Sequence, residues 1–203
     1  LRPDRASTGR RWWRGLAAAL ALAASLPAQA QAPTASELRL RVEGAFLVNF
    51  VRYTDWPEQR FTEPGAPYVV SVVGDAEATD AIAAVATAAG SIRGRRIVVR
   101  RVRFDARLDP ASRRVAIRRL RESHVVFVAG GDVEGARLVL RAVAGAPVLT
   151  VSDVPGFAAA GGMLGLVRSG RNLAIEANPA AIRDSEMQVS AKVLKLARLW
   201  GAP

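Results

Sequence analysis

The chain has 203 residues, of which 29 are Lys or Arg and 18 are Asp or Glu, giving a formal charge of +11. Half of it is apolar, one residue is His and none is Cys. The length favours one domain with ample material for a core. The composition excludes a mainly disordered chain, a disulfide framework, thiolate metal sites, a cysteine nucleophile and multi-histidine metal centres.

Residues 1–30 carry the three parts of a secretory signal peptide. Arg10, Arg11 and Arg14 make a positive n-region, Leu16 to Leu26 a short apolar run, and Pro27-Ala28-Gln29-Ala30 a small-x-small cleavage signature. The run is shorter than the roughly 20 residues a membrane span needs. Cleavage after Ala30 is therefore expected, with residues 31–203 forming a single exported domain. The leader holds five Arg and one Asp, so the processed chain has a net charge of +7. Residues 93–121 alone hold twelve Arg and two Asp. The basicity is thus concentrated on one stretch.

Thr34-Ala35-Ser36-Glu37 is a capping box. Behind it Leu38, Val42, Ala45, Phe46, Asn49, Phe50 and Tyr53 share one helical face, and Leu40, Leu47 and Val51 fall elsewhere on the same helix, so it is expected to be covered on more than one side. Trp56-Pro57 is expected to end it, since proline disfavours the α region in the residue before it.

Four apolar strands follow, at Tyr68 to Val73, Ile97 to Val102, Val125 to Val128 and Val148 to Val151. They alternate with helices over Ala76 to Ala89, Ala111 to Leu120 and Val133 to Val143. Continuously apolar strands between helices imply a mostly parallel sheet covered on both faces. The expected fold is an α/β three-layer sandwich with a doubly wound sheet. After Gly161-Gly162, Met163 to Val167 and Leu173 to Ala177 read as a β-hairpin around Arg168-Ser169-Gly170-Arg171. Asn178-Pro179 opens a short helix. Ser185-Glu186-Met187-Gln188 reads as a capping box for a last amphipathic helix carrying Val189, Val193, Leu196, Ala197 and Trp200.

Asp75, Asp132 and Asp153 fall just beyond the carboxyl ends of strands, where open α/β sheets bind ligands. Asp75 and Asp132 immediately precede helices, and capping alone accounts for them. Asp153 precedes no clear helix and stands out. Thr150 and Ser152 lack a Gly-x-Ser-x-Gly elbow, and no base for them is adjacent in sequence. No catalytic group, cofactor or metal site is therefore expected. The arginine stretch is either a solvated face or a surface for a partner or anionic membrane. With Phe104 its only aromatic residue, it is not read as a nucleic-acid site. Trp56 and Phe61 lie in a Pro-flanked loop, as a contact patch if exposed or a satellite cluster if folded under. For Trp56 the second is preferred.

In order, these segments resemble the YfiR-like family of exported bacterial proteins. The resemblance runs through Ala45-Phe46-Leu47-Val48-Asn49-Phe50-Val51-Arg52-Tyr53-Thr54-Asp55-Trp56-Pro57, Val73-Gly74-Asp75 and His124-Val125-Val126-Phe127-Val128. Its most specific stretch is Val148-Leu149-Thr150-Val151-Ser152-Asp153-Val154-Pro155-Gly156-Phe157, followed by Gly161-Gly162-Met163. Glu176-Ala177-Asn178 and Ser190 to Ala197 complete it. The resemblance implies a periplasmic regulator, not an enzyme, that represses a membrane-anchored diguanylate cyclase through its periplasmic region. A sensor kinase is the other partner it implies, and a homodimer stays open. The candidate partner- or ligand-binding surfaces are the Asp153-Pro155-Phe157 loop with Gly161 and Gly162, and the Trp56–Phe61 loop. In the first, Thr150, Ser152 and Asp153 are the polar groups able to orient a partner. Gly156, Gly161 and Gly162 equally suit a structural role in backbone shape, and Asn49 a buried hydrogen bond. Several relatives have Cys where this chain has Ser123, so thiol sensing is excluded here. The competing readings are a periplasmic small-ligand sensor and an exported α/β hydrolase.

Overall fold

Two strands of nothing but buried side chains form the centre of the sheet: β5 (Val125–Val128) and β6 (Leu149–Ser152). They pair in parallel, Val125 opposite Leu149 and Val128 opposite Ser152. Strand β2 (Tyr68–Val73) lies on the other side of β5, also parallel, and β4 (Arg95–Arg101) beyond it. The chain moves outward from β2 to β4, then returns to β5 across β2. The sheet order therefore reverses between β2 and β5.

A computed structural model describes residues 34–170 and 172–201. The expected signal peptide lies outside the described residues. From Thr34 on, the chain forms one compact unit. Its elements before the centre of the sheet are α1 (Ala35–Arg52), β1 (Thr54–Asp55), β2, α2 (Ala76–Ala88), β3 (Ser91–Ile92) and β4. Then come α3 (Pro110–Arg121), β5, α4 (Val133–Val143), β6, and the hairpin of β7 (Leu164–Ser169) with β8 (Asn172–Ala177). The chain closes with α5 (Pro179–Arg183), β9 (Gln188–Val189), α6 (Ala191–Leu196) and β10 (Ala197–Leu199). The large sheet has eight strands in the order β10-β8-β7-β6-β5-β2-β4-β3, mostly parallel, with the β7–β8 and β3–β4 pairs antiparallel.

Because successive strand residues face opposite sides, the sheet builds two cores. Val125, Phe127, Leu149 and Val151 pack under α1 and α2 with Leu47, Phe50, Val51 and Ile82. Val126 and Val128 pack under α3 and α4 with Leu120, Ala136 and Val139. The three-layer α/β sandwich expected from the alternating pattern is what forms. Helices α1 and α2 approach closely at Gly44, where a Cβ would lie 3.2 Å from the Val85 side chain. Among the described residues no helix is long and apolar enough to cross a membrane.

Thr34, Asp75, Asp132 and Asn178 cap the helices the sequence assigns them, whereas the Ser185 capping box does not form and Ser190 caps the last helix instead. Thr34 and Glu37 close their capping box on α1. Asp75 accepts from the Ala78 N–H and Asp132 from the Gly135 N–H, so both aspartates are helix caps.

Three expectations are corrected. Helix α1 buries Leu40, Glu43, Gly44, Leu47, Phe50 and Val51, whereas Leu38 is 57% and Val42 40% exposed. With apolar residues around much of its circumference, periodicity alone could not say which stripe faces the sheet. The helix also stops at Arg52, before Trp56-Pro57, because Thr54 and Asp55 pair with Val189 and Gln188. Finally, the single last helix is divided: Gln188–Val189 is strand, Ser190 caps the six-residue α6, and Ala197–Leu199 extends the sheet beside β8. Backbone pairing along the β8 edge outweighs the helical spacing of that segment, since edge N–H and C=O groups otherwise lack partners.

Between β6 and β7 a turn-rich segment buries Phe157 to 1% exposure in the second core. A Cβ on Gly162 would sit 2.1 Å from that ring. Gly162→Ala is therefore expected to destabilise the domain by about 1–3 kcal/mol, the usual cost of overpacking. Urea unfolding of both forms measures it, and an unchanged midpoint would refute this packing account.

Candidate functional site at the carboxyl edge of the sheet

Strand alternation decides which side each polar residue of β6 serves. Thr150 and Ser152 face the α3–α4 layer, as do their partners Val126 and Val128, while Asp153 serves the α1 layer. The three residues therefore do not converge on one point. The Ser152 hydroxyl donates to the Val128 carbonyl at 2.8 Å and accepts from the Val154 N–H at 3.0 Å. Thr150 accepts from the Met163 N–H at 3.0 Å, fastening the start of β7. Both hydroxyls are thus engaged with backbone at positions that shape the loop.

Asp153 is the hub of the edge. One carboxylate oxygen accepts from the Gly130 N–H at 2.6 Å, and the other lies 2.5 Å from Arg39 Nη1. The same Arg39 nitrogen is 3.2 Å from Glu43 Oε1, one turn along α1. A single guanidinium thus holds two carboxylates from different elements. Glu43 is 0% exposed, and its Oε2 has no partner among the described residues. Burial pushes its carboxyl up to about 7, helped by the charge of Asp153 and opposed by Arg39. The clasp ties α1, the β5–α4 turn and the β6 exit together at the sheet's carboxyl edge.

The remaining candidates fall into separate places. Pro155 and Gly161 are exposed on the loop, and Gly161 has φ +101°, a conformation that favours glycine. Phe157 and Gly162 are buried beneath it. Trp56 and Phe61 lie at the opposite edge of the sheet, where β2 and β5 begin. Trp56 is 8% exposed and its indole N–H donates to the His124 carbonyl at 3.1 Å. Phe61 stacks on the His124 ring at 4.8 Å with the Arg95 guanidinium above it. These aromatics fold under the loop, but as part of the main core and not as a satellite cluster: Trp56 belongs to it with Tyr68, and Phe61 packs against it.

His124 packs among these aromatics. Its Nδ1 accepts from the Val69 N–H at 3.0 Å, so the neutral ring carries its proton on Nε2. Burial, then the charges of Arg60 and Arg95, pushes its pKa down to about 4. Among the described residues no group of three or more His, Asp or Glu could hold a metal ion.

Arg39 and Glu43 were missed by the sequence reading. Their signal was present: an Arg–Glu pair spaced four apart, with the Glu on the same stripe as Leu40, Leu47 and Val51. Charged residues on an apolar stripe are rarely fully buried unless paired.

A cavity of about 470 Å³ opens beyond the ends of β2, β4 and β5, where the strand order reverses. Gly74, Arg101, Arg103, Asp105 and Asp132 are among its lining residues.

The architecture defines a class: a three-layer α/β domain whose sheet edge is fastened by a shared-arginine clasp and by hydroxyls bound to backbone. A model of the family described as YfiR/HmsC-like matches residues 40–198, and the chain belongs to that family. No curated protein matches it. Among solved structures it is similar to a conserved domain protein from Vibrio cholerae O1 biovar El Tor strain N16961. The identity is 10% and the TM-score 0.52, over 79% of this chain and 59% of that one. The chain therefore spans less than two thirds of that protein's length, and the likeness shows the fold alone.

The two buried titratable groups act in opposite directions with pH. Glu43 prefers its proton in the fold, so its contribution is full below about pH 4.5 and is lost as pH rises through about 7. His124 prefers to be neutral in the fold, so its contribution is full above about pH 6.5 and is lost as pH falls through about 4. Each is worth about 1.4 kcal/mol per pH unit inside its window. Glu43→Gln is expected to leave a stability that falls more steeply between pH 6.5 and 4.5 than the parent's. Equal slopes for the two proteins in denaturant titrations would refute the assignment.

Proposed function

We propose that the chain is an exported regulator that binds the periplasmic region of an inner-membrane signalling protein and represses its diguanylate cyclase output. Cyclic di-GMP and biofilm formation fall as a result. Membership of the YfiR/HmsC-like family implies a role in regulating such a cyclase. In this reading residues 1–30 are the export signal, removed after Ala30, and the partner is a membrane diguanylate cyclase or a related sensor kinase.

The observation that carries a binding role is the outer stripe of α1. Leu38, Val42, Ala45 and Asn49 are exposed and Phe46 half-buried on a helix whose opposite face is sealed against the sheet. A shallow groove of about 310 Å³ runs along Arg41, Val42, Ala45, Phe46 and Asn49. Contiguous apolar residues on an outer face mark contact surfaces. Through Arg39 and Asp153 the same helix is fixed to the loop that presents Pro155 and Gly161. Thr150, Ser152, Asp153, Phe157 and Gly162 then serve by holding that loop in shape, and Trp56 and Phe61 by anchoring the far edge.

Repression needs only that one receptor conformation be bound better than the other. Reversing a strongly biased equilibrium takes about 5 kcal/mol of differential affinity. A second reading, a periplasmic small-ligand sensor, is favoured by the cavity at the strand-order reversal, the usual ligand position in open α/β sheets.

Titration of the domain against the periplasmic region of a membrane diguanylate cyclase tests the proposal. Leu38→Glu and Val42→Glu are expected to weaken binding at least about tenfold, or about 1.4 kcal/mol, with the unfolding midpoint unchanged. Unchanged affinity in both variants would remove α1 as the contact. Failure of the parent domain to bind any such region would overturn the regulator reading in favour of the ligand sensor.

A further inference from the structure

We infer that the outer face formed by β4 and α3 is a docking surface for an anionic phospholipid bilayer. This surface lies on the opposite layer from the α1 stripe and does not depend on the cyclase reading. Helix α3 contains five arginines and no acidic residue. Its buried Ala116 and Leu120 pack with Val126 and Val128 of β5, whereas Arg96 and Val98 of β4 stay exposed on the same side of the sheet. The α3-facing side of β4 consequently presents Arg96, Val98 and Arg100, in register with Val69 and Ser71 of β2. Arg100 reaches across to the Arg119 carbonyl and makes the strand row and the helix one surface.

The charge on this face is not neutralised internally. Of the twelve arginines at 93–121, only Arg93, Arg103 and Arg118 have a carboxylate within 4.0 Å among the described residues. Arg101, Arg113 and Arg121 donate to the carbonyls of Gly74, Ala106 and Ala144. A carbonyl fixes a guanidinium without cancelling its charge, so the positive potential persists and is held in place.

Two further features select a lipid surface. Val98 is 39% and Val115 44% exposed among the arginines, so the face can combine apolar insertion with attraction to headgroups. The guanidinium groups are also spread along a strand row and a helix instead of converging on one point. That layout matches a plane of repeated single charges better than one carboxylate or phosphate.

Co-sedimentation of the compact unit from Thr34 on with vesicles tests this. One set is neutral phosphatidylcholine and the other contains about one third phosphatidylglycerol, each at low and high salt. Binding is expected only to the anionic set, and salt should abolish it. The combined variant Arg114→Gln, Arg118→Gln and Arg119→Gln should lower partitioning about a hundredfold, on a scale of about fivefold per arginine near a charged surface. Arg96→Gln alone should lower it about fivefold, which keeps the test decisive if the combined variant unfolds. Equal binding to both vesicle sets, or no effect of Arg96→Gln, would overturn the inference. Preference for soluble polyglutamate over the anionic vesicles would also overturn it, assigning the face to an acidic protein partner.

Discussion

Arg39 is the residue through which the two halves of the chain are joined at the carboxyl edge of the sheet. It sits on the first helix, yet one of its nitrogens is shared between Glu43 of that helix and Asp153, more than a hundred positions away in sequence. Neither carboxylate is freely solvated: their side chains are 1% and 8% exposed. Removing Arg39 would leave the buried Asp153 carboxylate without its cation, whereas Glu43 can take up a proton instead. The geometry is consequently fixed, and with it the position of α1 on the sheet and the entry of the loop after β6. Asp153 adds the Gly130 N–H, so the β5 exit is tied to the same point.

The parallel core was legible because its rule is local. β-branched runs at regular intervals, bounded by Gly and Asp, specify buried strands whatever else the chain does. Asp75 and Asp132 could likewise be assigned as caps from their position one residue before a helix. Asp153 stood out by the same logic, since it lacked a helix to cap, and its carboxylate proved to bind Arg39 toward the other end of the chain. That Thr150 and Ser152 serve the other face follows from strand alternation alone.

What could not be read depended on partners distant in sequence. Helix α1 carries apolar residues on nearly every side, so its hydrophobic pattern contains two answers. Only the close approach of α2 at Gly44 and the pairing of Glu43 select the inner one. The C-terminal segment fails for a different reason. Val193 and Trp200 are spaced for a helix, but the unpaired edge of β8 offers hydrogen bonds that a short isolated helix cannot match. Phe157 and Trp56 read as candidate contacts because an aromatic residue in a turn-rich stretch can fold either way, and both fold under.

The two outward surfaces have a common origin in the winding of the sheet. Crossovers on either side of the β2–β5 reversal place α1 and α2 on one face and α3 and α4 on the other. The apolar stripe belongs to the first layer and the arginines to the second, so occupying one leaves the other open. A domain held by its basic face against a bilayer would present α1 away from the lipid, toward the segment of a membrane protein that projects beyond the headgroups. Confinement near a surface raises the effective concentration of such a segment. A modest intrinsic affinity at α1 could then suffice for regulation, and the outward arginines of the 93–121 stretch would contribute through where they hold the domain.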